Sequence, residues 1–212
     1  ITTAPGFRIW SKVEIEDFIR TKPFKRRTQF SGPNWIVNQR SIGSCNAAAA
    51  VGALRRNMAI NGRNEVPMLN WEFVYAQING GKDNGSMLID GMEELKIKGA
   101  PPLDLVKHPI NRHWKENQYD AADYEAAKAF KAEACFAIDS ELELATFVLS
   151  GGSAVVAVHV GNSFSSLNSK GFAGASGGPG NHAVVVDDVE LIDGQLAFDM
   201  PNSWGLGWGD SG

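Results

Sequence analysis

The chain has 212 residues, 43% hydrophobic and 21% charged, with a net charge of −4. That is enough apolar material for a sizeable core, in one domain or two small lobes. No run of about 18 apolar residues is available to span a membrane, and no dense basic stripe is present to neutralise nucleic-acid phosphates, so neither partner is expected.

Residues 1–27 mix Glu14, Glu16 and Asp17 with a basic cluster, Arg20, Lys22, Lys25, Arg26 and Arg27, and read as a solvated short helix and arm. The chain starts at Ile1 without the pattern of a signal peptide, which reads as a processed product or an excised domain. After a turn at 30–35, Gln39-Arg40-Ser41-Ile42-Gly43-Ser44-Cys45-Asn46 delivers a cysteine to the start of an alanine-rich helix. Ser44 is placed to cap that helix, Val51, Leu54 and Met58 share one face, and Asn61-Gly62 supplies the stop. The free N–H groups and positive dipole end of a helix favour a thiolate there, and the thiolate is the nucleophile. Taken alone, such a cysteine is more often a small buried hydrophobe.

A second helix is expected to open at Asn70 as its cap, with Trp71, Val74 and Ile78 on one face, and to break at 80–86. A third runs from about Leu88 over Ile89, Met92 and Leu95 to Gly99. Pro101-Pro102 and His108-Pro109 mark a loop, 121–131 a short surface helix, and 134–138 a strand. Ser140 and Glu143 form a capping-box pattern opening a helix that Gly151-Gly152 stops. Residues 153–160, 182–191 and 195–200 then read as three strands, with a glycine- and serine-rich loop at 164–180. The first half is thus mainly helical and the second mainly sheet. His108, His113 and His159 receive no role, because together with His182 they offer no tight metal spacing; neither metal nor cofactor is expected.

Three local signatures stand in order: Gly43-Ser44-Cys45, Asn181-His182-Ala183-Val184, and Asn202-Ser203-Trp204-Gly205-Leu206-Gly207-Trp208-Gly209. They resemble the papain-like cysteine peptidases from about Pro33 to the end, a family in which His and Asn follow the Cys by about 130–150 residues; here His182 and Asn202 follow Cys45 by 137 and 157. The resemblance implies an α+β, two-lobe fold with a helical N-terminal lobe, an antiparallel β-barrel-like C-terminal lobe, and the active site in the cleft between. The whole would be one peptidase domain: 1–30 an N-terminal arm, 31–130 the mainly helical lobe, 131–212 the mainly sheet lobe. It implies Cys45 as nucleophile, His182 as base, Asn202 as the residue orienting that histidine, and Gln39 as an oxyanion-hole donor. Trp204 would shield the His–Asn hydrogen bond. The loop at 84–86, with Gly85 and Ser86, would pair with an extended substrate backbone. Asn181 joins the substrate-binding set, and Met87, Leu88, Ala154, Gly180 and Ala183 would line an apolar specificity pocket.

Three departures from the family accompany the match. Arg40 stands where glycine is general, Asn46 replaces the usual tryptophan, and Asp83 stands where disulfide-bearing relatives have a cysteine. With only Cys45 and Cys135 present, the chain resembles the disulfide-free microbial and phage members, and a reducing, intracellular or virion-associated setting is expected. The expected function is hydrolysis of peptide bonds in peptide or protein substrates through a Cys45–His182 pair and an acyl-enzyme. A structural or interaction module of a larger assembly and a Cys-His acyltransferase are the alternatives. In the family a further strand follows the last motif, so a longer polypeptide or a neighbouring chain is expected to supply it.

Overall fold

A computed structural model describes residues 6–22, 24–106, 114–115, 118–164, 167–169, 171–174 and 177–212. His108 and His113, with the loop they mark, lie outside the described residues, as does part of the 164–180 loop. The helices are α1 (Lys12–Thr21), α2 (Arg26–Gln29), α3 (Cys45–Ile60), α4 (Trp71–Ile78), α5 (Leu88–Ile97), α6 (Ala121–Ala127) and α7 (Glu141–Leu149). The strands are β1 (Ala154–Val158), β2 (His182–Val186), β3 (Asp188–Ile192) and β4 (Gln195–Asp199).

α3 is the central element. Ala47, Ala48, Ala49, Ala50 and Ala53 are all buried, and Val51 and Leu54 with them, so this helix is covered nearly all round. Its small residues let it lie close on the sheet: a Cβ on Gly52 would come within 3.1 Å of Val185 Cγ2. One core, from Ile42 to Phe130, gathers α3, α4, α5 and α6 around Phe73, Val74, Tyr75 and Leu95. Ala127 belongs to it, so α6 is anchored in the helical lobe and is not only a surface element. The caps at Asn70, whose Oδ1 accepts from Phe73 N at 3.0 Å, and at Ser140, whose Oγ accepts from Glu143 N at 3.1 Å, form as expected.

The second core joins Ala145, Val148 and Leu149 of α7 to Val186 and Val189. Ile15 of α1 is fully buried in it. The arm is thus part of the sheet lobe's core, where a solvated arm was expected. Lys22 pairs with Asp188, and the Arg26 amide donates to the same carboxylate at 2.9 Å.

β1 pairs antiparallel with β2, from Ala154 opposite Val186 to Val158 opposite His182, and β3 pairs antiparallel with β4. The single strand expected over 182–191 is two, divided at Asp187, whose side chain turns to Arg56 of α3. Asp187 N donates to Asp199 O at 3.3 Å and Val185 N to Pro201 O at 3.3 Å, carrying the pairing past the break. Among the described residues the two ladders do not close into a barrel, and 134–138 holds no strand. No helix among the described residues is long and apolar enough to cross a membrane.

Candidate active site

Cys45 is the first residue of α3 and is half-buried, a free thiol packed beside Ala49, Ala53, Ala183, Val185 and Leu88. Ser44 does not cap the helix. Its backbone sits at φ −94 and ψ 16, outside the extended region from which a side chain reaches the first turn, and its buried Oγ has no hydrogen-bond partner among the described residues. The first-turn N–H groups therefore keep free of a side-chain cap beside the thiol, which suits them to an incoming oxyanion.

Across the cleft, His182 opens β2, and its Nε2 lies 2.8 Å from Asn202 Oδ1. The Ser203 N–H also points at that Asn202 atom, at 2.8 Å. A backbone N–H can only donate, so the atom between them is the amide oxygen and His182 Nε2 carries the proton given to it. Nδ1 is left as the nitrogen that can exchange a proton with a thiol. Trp204 covers the pair, its ring centroid 4.9 Å from that of His182, and Phe164 and Trp208 complete an aromatic wall.

Gln39 is buried in the segment that joins the two sides. Its backbone N donates to Ser203 O at 2.8 Å, and Gly205 N donates to Val37 O at 2.9 Å. Gly205, at φ +78, approaches Asn38 so closely that a Cβ would meet its Nδ2 at 2.9 Å. The Gln39 carboxamide is fixed at both ends: Oε1 accepts from Ser203 Oγ, and Nε2 donates to Ile42 O at 2.8 Å. One Nε2 hydrogen remains for an oxyanion. The loop before Cys45, the Asn202-Ser203 segment and Gln39 are thus one hydrogen-bonded unit.

A family model for the papain family cysteine proteases matches residues 25–212. The chain belongs to the papain family. Among solved structures, this papain-family chain is similar to digestive procathepsin L 3 of Tenebrio molitor larval midgut, at 18% identity and TM-score 0.72 over 92% of this chain and 64% of that one. It is also similar to xylellain, a cysteine protease from Xylella fastidiosa, at 20% identity and TM-score 0.69 over 86% and 76% of the two chains. Bromelain from Ananas comosus, in complex with the E64 inhibitor, matches at 21% identity and TM-score 0.71 over 88% and 84%. The papain-family chain thus spans less than two thirds of the procathepsin's length. No curated protein matches it.

The papain-family departures have structural places. Arg40 holds φ 57, the left-handed conformation that glycine adopts without strain, and its N–H is held by Asn38 Oδ1 at 2.8 Å. Asn46 is 1% exposed and spans from α3 to the 86–87 segment, its Nδ2 donating to Ser86 Oγ at 3.0 Å and to Met87 O at 2.5 Å. Residue type alone gave no hint of that bridge, because its partners lie some 40 positions on. Asn181 spends its side chain on the Val160 backbone, accepting from its N–H at 2.7 Å and donating to its carbonyl at 3.1 Å.

Leu88 and Ala154 of the expected specificity pocket line a cavity of about 740 Å³ between α3, α5, α7 and β1, with Ile89, Met92, Phe136 and Val155 on its walls. Ala183 packs with Leu88 and Cys45. Gly180 abuts Ala157, where a Cβ would meet that methyl at 2.8 Å, and Met87 is exposed; neither lines the cavity. Among the described residues, no group of three or more His, Cys, Asp or Glu side chains gathers as for a metal ion.

Burial pushes the His182 pKa below its ordinary value, and the Asn202 hydrogen bond opposes this. Folded His182 therefore takes up a proton less readily than in the unfolded chain. In a Cys45→Ala variant, where no thiol can couple to the imidazole, stability should fall as pH drops below histidine's ordinary value of about 6.5. Ring-proton NMR of that variant should show His182 titrating below the ordinary range; titration at or above it would contradict the stated cause.

Proposed function

We propose that the chain is a cysteine endopeptidase that hydrolyses peptide bonds in extended peptide or protein substrates through an acyl-enzyme on Cys45. The observation that carries this reading is the fixed His182 Nε2 to Asn202 Oδ1 hydrogen bond, on a strand packed across the helix that starts at Cys45. The Cys45 sulfur attacks the scissile carbonyl, forming a C–S bond, while the oxygen's developing charge meets the Cys45 N–H and the remaining Gln39 Nε2 hydrogen. His182 passes its Nδ1 proton to the leaving amine as the C–N bond breaks. The same nitrogen then takes a proton from water, whose oxygen attacks the thioester and frees the thiolate. Asn202 keeps the ring plane through both steps, and the Trp204 wall keeps water from the hydrogen bond it shares with His182.

Mass spectrometry of a peptide library, incubated with and without a nucleophilic amine, tests this. Hydrolysed products in both arms are expected. Products formed only by capture of the amine would favour acyl transfer, and no reaction in either arm would favour a structural module. The cavity beside Leu88 and Ala154 supports a large aliphatic or aromatic residue one position before the cleaved residue. Burial of such a side chain contributes about 1.5–3 kcal/mol, so apolar library members should lead by about 10–100-fold in kcat/KM. Best cleavage with a charged residue at that position would contradict the pocket.

The reading includes a further strand, from a longer polypeptide or a neighbouring chain, pairing in the sheet lobe. What supports it is that β1 pairs only with β2 among the described residues, with the apolar cavity along its other side.

A further inference from the structure

The loop that carries Cys45 and the loop that carries Gly85 meet through a small polar junction that peptide chemistry as such does not require. The Gly43 N–H donates to Asp83 Oδ1 at 2.8 Å, and the Tyr75 hydroxyl donates to the same oxygen at 2.8 Å. The hydroxyl oxygen in turn accepts from the Gly85 N–H at 3.1 Å. Donors and acceptors thus run in one direction, from both loop amides toward one carboxylate, and a carboxylate makes the stronger kind of acceptor.

The fit at Gly43 is close. A Cβ there would come within 2.9 Å of Gly85 N, 3.0 Å of the Tyr75 hydroxyl and 3.1 Å of Asp83 Oδ1, so the two backbones are drawn together to a separation that only glycine allows. Tyr75 itself is fully buried in the helical core and is a rigid post for the junction. Burial and then the bond to Asp83 push its hydroxyl pKa upward, keeping it a neutral donor.

We propose that Asp83 is a positioning residue of the peptidase: with Tyr75 it clamps the loop before the nucleophile to the loop that pairs with the substrate backbone. The proposal rests on the peptidase reading. Gly43 lies two residues before Cys45, whose N–H is the oxyanion donor, so the clamp sets the nucleophile and oxyanion geometry against the wall that holds the peptide. Neither Asp83 nor Tyr75 need touch the substrate.

The test compares wild type, Asp83→Ala, Asp83→Asn and Tyr75→Phe for peptide cleavage, thermal midpoint and amide hydrogen exchange at Gly43 and Gly85. Asp83→Ala should lower kcat/KM by about 10–100-fold, the order of loss that accompanies misplacement by about an ångström. Its thermal midpoint should stay near wild type, because Asp83 is exposed. Tyr75→Phe should act mainly on KM, since it frees the substrate-pairing loop while Asp83 still holds Gly43. Asp83→Asn keeps an acceptor oxygen and should stay close to wild type. Exchange at Gly43 should quicken in Asp83→Ala while the amides within α3 stay protected. Wild-type kcat/KM and unchanged Gly43 exchange in Asp83→Ala would overturn the clamp, as would equal losses in the Ala and Asn variants. If the wild-type protein cleaves nothing, the peptidase reading fails separately, and the clamp is still read from exchange at the two glycines.

Discussion

Cys45→Ala should fold as the wild type does and hydrolyse no peptide. Removal of a nucleophile of this kind costs about 10⁴-fold or more in turnover, because attack, acyl-enzyme and hydrolysis all pass through the sulfur. The structural change is small. Cys45 is half-buried at the first position of α3, against Ala49, Ala183 and Leu88, so replacing thiol by hydrogen should alter stability by less than about 1.5 kcal/mol. Circular dichroism and a denaturant titration establish the fold, and cleavage of a fluorogenic peptide reads the activity. Cleavage by the variant at the wild-type rate would remove Cys45 from the mechanism.

Asp187→Ala should have the opposite profile, a protein that fails in folding before it fails in chemistry. Arg56 Nε and Asp187 Oδ2 are 2.7 Å apart, with the two side chains 1% and 0% exposed. Arg56 also donates to Gly52 O at 3.2 Å and lies over the rings of Trp35 and Phe30, at 5.7 and 5.8 Å. Removing the carboxylate leaves a guanidinium buried between α3 and the sheet, a loss of about 3–5 kcal/mol. Against a total of about 5–15 kcal/mol for a folded domain, that is enough to unfold much of the protein. Urea titration checks it. Replacing both partners by apolar residues, Arg56→Met with Asp187→Leu, should recover most of the loss. A midpoint for Asp187→Ala equal to wild type would show that the pair is dispensable.

The same pair explains where the sequence could be read and where it could not. α3 was legible because its signals are local: a run of alanines, one apolar face, and Asn61-Gly62 to end it. The break between β2 and β3 was not, because the stretches on either side of Asp187-Asp188 both read as extended, and Asp187 turns inward to a partner on α3, far off in the chain. Ser44 is the reverse case. Its residue type and place suggest a cap, but the tight turn at 42–44, in which Ser44 N donates to Ile42 O at 2.8 Å, takes its backbone out of the conformation a cap needs. The arm hides its packing for a similar reason, since α1 shows its charges in sequence while the burial of Ile15 depends on α7 and β3. The motifs single out Cys45, His182 and Asn202, and the resemblance they carry adds Gln39; the structure puts His182 on Asn202 and Gln39 on Ser203. The bonds by which Ser203, Asn46 and Asp83 support them join segments far apart in the chain, and no local pattern carries that information.

The central claim is that Cys45 works as one half of a pair with His182, and the rate of its alkylation against pH tests this most directly. Iodoacetamide labelling followed by peptide mapping separates Cys45 from Cys135, which lines the apolar cavity, donates to Met92 O at 3.4 Å and has its pKa pushed upward by burial. The expected result is fast modification of Cys45 at a rate nearly flat across neutral pH, with Cys135 slow and rising as pH rises. His182→Ala should abolish the flat profile. Cys45 labelled no faster than an ordinary thiol, with a rate that climbs with pH and is indifferent to His182, would contradict the account.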